Sequence, residues 1–201
     1  MRIRIKKDEL LKKFPRTLTL FRLTRKSDIS EFGILKLVKF SDIFTLTNII
    51  FGLAAIFFAI KGNYTYAIIS LFFAVIADYL DGRLARKLKQ ENIFGKELDS
   101  LADTISFGVA PIIFAFSLIQ TPLAITAFII FLFCGILRLA RYNIMNVQSG
   151  YAGMPITLNG IIIPLVYLAK VPFDYYPYIY ILLGILMISS LRFKKLQFKQ
   201  D

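Results

Sequence analysis

Four aspartates stand close together in a chain that has few acidic residues. The 201 residues hold 13 Asp and Glu, and Asp78, Asp81, Asp99 and Asp103 fall within one stretch. The first pair is spaced i, i+3 and the second i, i+4, so the two members of each pair share one face of a helix. Two neighbouring antiparallel helices would gather all four carboxylates. Such a cluster favours two divalent cations, Mg²⁺ or Mn²⁺, because both ions prefer oxygen ligands.

The residues between the two pairs suit a ligand that carries phosphate groups. Gly82 and Ala85 leave little side-chain bulk beside the first pair, so a flat ligand can approach the helix backbone closely. Arg86 adds a positive charge suited to phosphate oxygens, and Gly95 loosens the turn before the second pair. These residues favour a planar base linked to a diphosphate.

Composition narrows the chemistry further. The chain has no His, which excludes imidazole as a base or metal ligand, and its single cysteine excludes an intramolecular disulfide. Cys134 stands in an apolar run, and we expect it to be a buried hydrophobe. The net charge of +12 lies beside apolar segments. It therefore indicates anionic lipid headgroups, and not nucleic acid, as the partner.

The elements that carry these residues are typical of a membrane protein. Hydrophobic residues make up 57% of the chain, and mean hydropathy is +0.64. A helix needs about 20 mostly apolar residues to cross the hydrocarbon core. Six segments qualify, separated by short turns, and predict an all-α integral membrane protein built as a six-transmembrane-helix bundle. These segments are 42–60, 64–84, 98–119, 123–144, 154–169 and 175–191.

The basic residues predict how the bundle is oriented. With six spans, 23 of the 25 Lys and Arg fall on one side, and Lys61 and Lys170 on the other. The positive-inside rule then places both termini, and the aspartates, at the cytoplasmic face of a multi-pass cell-membrane protein. We expect three regions: a basic segment 1–41, the membrane domain 42–191 and a basic tail 192–201. Residues 27–40 predict an amphipathic juxtamembrane helix, with a solvated linker as the alternative.

The aspartate stretch resembles a known family. It matches D-x2-D-G-x2-A-R-x8-G-x3-D-x3-D, the signature of the CDP-alcohol phosphotransferases, with every spacing intact. Within that family the chain is similar to the phosphatidylserine synthases that use CDP-diacylglycerol. Segments 94–103, 106–111 and 138–143 carry this resemblance, as does Gly153-Met154-Pro155, which has Met where that branch has Leu.

The resemblance implies an activity and roles for individual residues. The family's fold has six transmembrane helices, usually as a homodimer, and the activity is transfer of a phosphatidyl group from a CDP-lipid to L-serine. Asp78, Asp81 and Asp99 would hold one metal, and Asp103, assisted by Asp81, the second. Asp103 would also be the general base. The nucleotide and its diphosphate would contact Thr47, Asn48, Gly82, Ala85, Arg86 and Gly95, and serine would contact Arg138, Arg141 and Asn143.

Other interpretations of the same residues stay open. A sister enzyme would use glycerol phosphate or inositol phosphate, although the two arginines near 140 offer a small basic pocket for such an acceptor. A divalent-cation transporter would also place aspartates within the membrane, and a catalytically inactive lipid-binding scaffold is a third alternative. Arg138 and Arg141 would also fit as positive-inside anchors, and Gly82 and Ala85 as helix-packing residues.

Overall fold

The computed structural model describes residue 39 and residues 42–88, 92–145, 151–189 and 192–193. The predicted amphipathic helix 27–40 and most of the tail 192–201 lie outside these residues. The described part is helical apart from turns, loops and one pair of two-residue strands, which confirms the predicted helical fold.

Two long helices begin the described fold. Helix α1 spans Asp42–Ile60 and α2 spans Tyr64–Lys87, and the two pack along one another. The turn between them contains Gly62, whose φ of 72° is the left-handed conformation that glycine adopts readily. Apolar side chains dominate α1, but Asp42, Thr45 and Asn48 are buried along one face. Helix α1 therefore has a buried polar face.

The next segment is a single apolar helix, Ile93–Phe116, with an irregular centre. It consists of α3 (Ile93–Asp103), a π-helical segment (Thr104–Val109) and α4 (Ala110–Phe116). Pro111 has no N–H to donate to the carbonyl four residues earlier, and the Ala110 N–H bonds instead to the Ile105 carbonyl five residues back. The helix begins at residue 93, five residues before the predicted start, because the Asn92 side chain caps it.

The remaining helices complete the described fold. Helix α5 (Pro122–Met145) packs along α7 (Tyr176–Ile188). Between them lie a 3₁₀ turn (Ile156–Leu158) and the short helix α6 (Asn159–Leu168). A second 3₁₀ turn, Phe173–Tyr175, precedes α7.

A small strand pair links the segment after α5 to the segment after α7. Strand β1 (Tyr151–Ala152) pairs antiparallel with β2 (Arg192–Phe193), with Tyr151 opposite Phe193. The sequence analysis predicted no strand, because two residues give no recognisable alternation of polar and apolar side chains.

The helices carry the apolar surface expected of a membrane protein. Three of those described are long and apolar enough to cross a bilayer: Asp42–Ile60, Ile93–Phe116 and Pro122–Ile144. Helix α2 is also long, but its C-terminal part carries the charged residues from Asp78 to Lys87. Two further apolar helices, Ile156–Leu168 and Phe173–Ile188, are shorter. These helices, together with many exposed Ile, Leu and Phe side chains, are those of an integral membrane protein.

Candidate active site

Three carboxylates from two helices meet at one point. Asp78 of α2 and Asp99 and Asp103 of α3 each bring a carboxylate oxygen to within 4.8 Å of the others. Asp103 is only 6% exposed, and its Oδ1 atom is buried without a hydrogen-bond partner in the part of the chain that the structure describes. At this separation two negative charges repel by roughly 3 to 4 kcal/mol at an effective dielectric constant of about 20. The arrangement therefore fits a divalent cation, which would offset the charges and take up the unpartnered oxygen.

The fourth aspartate lies beside this group with its own hydrogen bond. Asp81 is 6% exposed and accepts a hydrogen bond from the Thr45 hydroxyl of α1. Its charge also acts on Asp42 and Asp99. The predicted quartet is thus gathered at one end of α2 and α3, with three carboxylates in mutual reach and Asp81 oriented by α1.

Helix α5 contributes a buried cation to the site. Arg138 is 6% exposed, and its charge interacts with Asp78 and Asp103. Its guanidinium carbon also lies 5.7 Å from the centre of the Tyr142 ring. A buried arginine beside an acidic cluster can bind an anionic group of a substrate while the carboxylates hold a metal.

Arg141 lies three residues after Arg138 on the same helix, but its side chain contacts a different part of the structure. Its guanidinium group donates to the carbonyls of Ile188 and Ser189, at 3.5 Å each. These carbonyls belong to the C-terminal end of α7, where a cation is favoured by the helix dipole. The structure therefore brings Arg138 to the carboxylates and Arg141 to the end of α7.

Asn143 links α5 to α3. Its side-chain amide donates to Ser100 Oγ at 3.0 Å and to Glu97 Oε2 at 3.3 Å. Lys96 donates to the carbonyls of Tyr142 and Asn143 at 3.4 and 3.3 Å, at the C-terminal end of α5. This set of contacts fixes α3 against α5 one turn from Asp99 and Asp103.

The residues predicted to contact the nucleotide lie along the charged end of α2 and the start of α3. Gly82 is half-buried, and a methyl group placed on it would lie 3.4 Å from Arg86 Nη1. Arg86 itself is exposed, and Ala85 lies in the same helix. The missing side chain at Gly82 thus leaves room next to a guanidinium group.

Gly95 lies inside the first turn of α3, and not in the turn before that helix as the sequence suggested. A methyl group on Gly95 would lie 3.0 Å from Asp42 Oδ1. The Gly95 N–H also donates to the side chain of Asn92, which caps the helix. Gly95 therefore allows the start of α1 to approach the start of α3 closely.

Thr47 and Asn48 face different directions, as neighbours on a helix do. The Thr47 hydroxyl donates to its own helix at the Ile43 carbonyl, at 2.8 Å. Asn48 is fully buried, and neither polar atom of its amide has a hydrogen-bond partner among the described residues. Ser106 of the π-helical segment donates to the Asn48 carbonyl at 3.1 Å. The backbone of α1 at Asn48 thus contacts the π-helical segment, and the buried amide of Asn48 suits a polar ligand or water.

Three residues near the carboxylates were not identified from the sequence. Asp42 and Thr45 interact with Asp81, and Thr157 of the 3₁₀ turn lies near Asp78. The first two had a detectable signal, since Asp42, Thr45 and Asn48 repeat every third residue in an otherwise apolar helix. Thr157 had none, because its position depends on the path of the chain after α5.

Comparison with known proteins settles the family. The profile described as CDP-alcohol phosphatidyltransferase matches residues 38–192, which is more than half of the chain. The chain belongs to that family. This match confirms the resemblance inferred from the aspartate signature. The converging carboxylates of α2 and α3 belong to residues of that signature.

Individual members of the family are similar over most of their length. A CDP-diacylglycerol–serine O-phosphatidyltransferase of Methanocaldococcus jannaschii is 40% identical over 166 residues, covering 82% of this chain and 78% of the relative. An archaetidylserine synthase of Methanothermobacter thermautotrophicus is 35% identical, with coverage of 77% and 69%. A CDP-diacylglycerol–serine O-phosphatidyltransferase of Bacillus subtilis is 34% identical, with coverage of 74% and 86%.

Proposed function

We propose that the protein transfers a phosphatidyl group from CDP-diacylglycerol, or from an ether-linked analogue, to L-serine. The products are phosphatidylserine, or its ether analogue, and CMP. The observation that carries the proposal is the convergence of Asp78, Asp99 and Asp103 beside the buried Arg138. Family membership and relatives named as serine transferases support serine as the acceptor.

The carboxylates are proposed to hold two divalent cations, Mg²⁺ or Mn²⁺. Asp78, Asp81 and Asp99 would bind one, and Asp103, with Asp81, the second. When bound, such ions supply positive charge next to the diphosphate of the CDP-lipid. The mutual reach of three carboxylate oxygens and the unpartnered Asp103 Oδ1 support this donor set.

Asp103 is proposed as the general base. Its carboxylate would take the proton from the serine hydroxyl as that oxygen forms a bond to the lipid-linked phosphorus. The bond between this phosphorus and the CMP oxygen breaks, and CMP leaves with the electron pair. Near-complete burial of Asp103 keeps bulk water from competing for the proton.

Substrate contacts follow from charge and space. Arg138 is proposed to bind an anionic group, either the serine carboxylate or the lipid phosphate, because it is the cation that reaches Asp78 and Asp103 from α5. We retain Arg141 and Asn143 as acceptor-binding candidates. The nucleotide would lie against the following residues: Thr47, Asn48, Gly82, Ala85, Arg86 and Gly95.

The finer membrane arrangement is also a proposal. Six spans with both termini and the active site in the cytoplasm agree with the distribution of 25 Lys and Arg. The six apolar or partly apolar helices are consistent with this number. A homodimer is expected from the family resemblance.

Acceptor choice tests the proposal directly. Purified protein receives CDP-diacylglycerol, Mn²⁺ and one of three acceptors: labelled serine, glycerol phosphate or inositol phosphate. We expect label from serine in the lipid fraction with equimolar CMP, and at least about 100-fold less product from Asp103→Asn. Product from glycerol phosphate alone would assign a sister activity. Mn²⁺ flux into liposomes without any CDP-lipid would instead favour a transporter.

A further inference from the structure

The π-helical segment that follows Asp103 packs closely against α1. Its Ser106 side chain is fully buried and donates to the Asn48 carbonyl of α1 at 3.1 Å. Four residues further along α1, a methyl group placed on Gly52 would lie 2.9 Å from the Cα atom of Ser106. Glycine at position 52 therefore lets the two helix backbones come into contact, and the Ser106 hydroxyl forms a hydrogen bond at this contact.

Helices α5 and α6 pack against the same segment. A methyl group placed on Gly160 of α6 would lie 2.7 Å from the ring of Phe107, which is fully buried. One placed on Gly108 would lie 3.1 Å from Leu132 of α5. A π-helical turn contains about one residue more than an α-helical turn, so the side chains before it are rotated by about 100° relative to those after it. The rotation of Asp103 about the axis of its helix therefore depends on how this segment is packed.

Helix α1 also contacts the acidic residues at a second point. The Thr45 hydroxyl, one turn before Asn48, donates to the Asp81 carboxylate of α2. Ser106 lies three residues after Asp103 in the same continuous helix. Helix α1 is therefore hydrogen-bonded to Asp81 itself and, through the Asn48 carbonyl, to the helix that carries Asp103.

We propose that Ser106 is a positioning residue, which fixes the π-helical segment to α1 and so holds the Asp103 carboxylate where it can share a divalent cation with Asp81. The inference rests on the second metal of the proposed function, but not on serine as the acceptor. Without the Ser106 hydroxyl, the Asn48 carbonyl still accepts from the N–H four residues later in its own helix. Ser106→Ala therefore releases the segment from α1 without leaving that carbonyl unpaired.

Mn²⁺ binding without substrate provides the test. Metal-stripped protein in detergent is titrated with Mn²⁺, and free Mn²⁺ is followed by electron paramagnetic resonance, which gives the number of bound ions and their affinities. We expect Ser106→Ala to bind one of two ions about fivefold more weakly, the effect of one net hydrogen bond, and the other ion unchanged. Ser70→Ala is the matched control, because Ser70 is also buried but its hydroxyl donates to the Tyr66 carbonyl within α2. It should bind both ions as the wild-type protein does.

The dependence on Asp103 is tested in a second background. Asp103→Asn protein should bind one ion, and adding Ser106→Ala should leave the affinity for that ion unchanged. Wild-type binding of both ions by Ser106→Ala, an equal loss in Ser70→Ala, or a further loss in Asp103→Asn protein would overturn the inference. If Ser106→Ala fails to fold, Ser106→Cys, which has a similar shape and a weaker donor, replaces it in both comparisons.

The outcomes also separate this inference from the proposed function. Failure of the wild-type protein to bind Mn²⁺ would refute both the role of Ser106 and the proposed metal site. Failure of serine transfer, with the expected Mn²⁺ results intact, would refute only the acceptor assignment.

Discussion

The Thr45 hydroxyl of α1 donates a hydrogen bond to the Asp81 carboxylate of α2, and so joins the polar face of one helix to the signature of the next. Both side chains are buried. Replacing Thr45 by Val leaves a buried acceptor without its donor, which costs about 1 to 3 kcal/mol. We expect Thr45→Val to lower the rate of CMP release about tenfold and to lower the unfolding temperature. Thr65→Val, at an exposed position at the other end of α2, should change neither. Equal activity of the two variants would contradict a role for Thr45.

Asp103 is the most buried carboxylate of the three that converge, and the proposed base. Asp103→Asn preserves size but cannot accept the serine proton, so serine transfer should fall by about 10²- to 10⁴-fold. The measurement is incorporation of labelled serine into lipid at saturating CDP-diacylglycerol. Asp174→Asn, at an exposed site before α7, is the matched control and should retain activity. Substantial serine transfer by Asp103→Asn would show that Asp103 is not the general base.

The contacts between α3 and α5 predict a coupled pair. The Asn143 amide donates to Ser100 at 3.0 Å, one residue after Asp99. Asn143→Ala and Ser100→Ala should each lower stability, and the double variant should lose less than the sum, with a coupling of about 0.5 to 3 kcal/mol. Thermal unfolding of the single and double variants in detergent measures this coupling energy. Strict additivity would mean that the amide and hydroxyl act separately. A rise in serine KM in Asn143→Ala alone would assign Asn143 to the acceptor.

Gly153 and Gly62 allow two costs of replacing glycine to be compared, backbone strain and steric collision. Both have positive φ, and alanine in that conformation costs roughly 1 to 2 kcal/mol. A side chain at Gly62 meets open space, whereas one at Gly153 collides with the Met187 carbonyl. We therefore expect Gly153→Ala to unfold at a clearly lower temperature than Gly62→Ala. The buried thiol of Cys134, the only cysteine of the chain, reports unfolding through a thiol-reactive dye. Equal unfolding temperatures would argue against anchoring of the segment after β1.

The sequence predicted the features that depend on short spacings. Two aspartate pairs on helical faces were sufficient to predict a carboxylate cluster, because i, i+3 and i, i+4 positions share a face in any α-helix. The boundaries of α1 were also correct at 42 and 60, since a charged residue and a glycine turn bound an apolar run. The same local reasoning missed the π-helical segment, which depends on how Pro111 is accommodated.

Features that depend on distant chain segments were not predictable. Arg138 and Arg141 share a helix face by spacing, but the carbonyl end of α7 lies next to Arg141 and the carboxylates lie next to Arg138. Their different surroundings follow from the packing of α5 against α7. Thr157 lies near Asp78 for a similar reason, because Met154 and Asn159, on either side of it, hydrogen-bond α7.

Anomalous diffraction can locate the metal ions that the three converging carboxylates are proposed to bind. Crystals of the protein grown with Mn²⁺ and a CDP-lipid would be measured at the manganese absorption edge, and an anomalous difference map would show each ion. We expect a peak bounded by the carboxylates of Asp78, Asp99 and Asp103, with the diphosphate beside it. Anomalous peaks elsewhere, with these three carboxylates contacting no ion at saturating Mn²⁺, would show that the aspartate cluster is not the metal site.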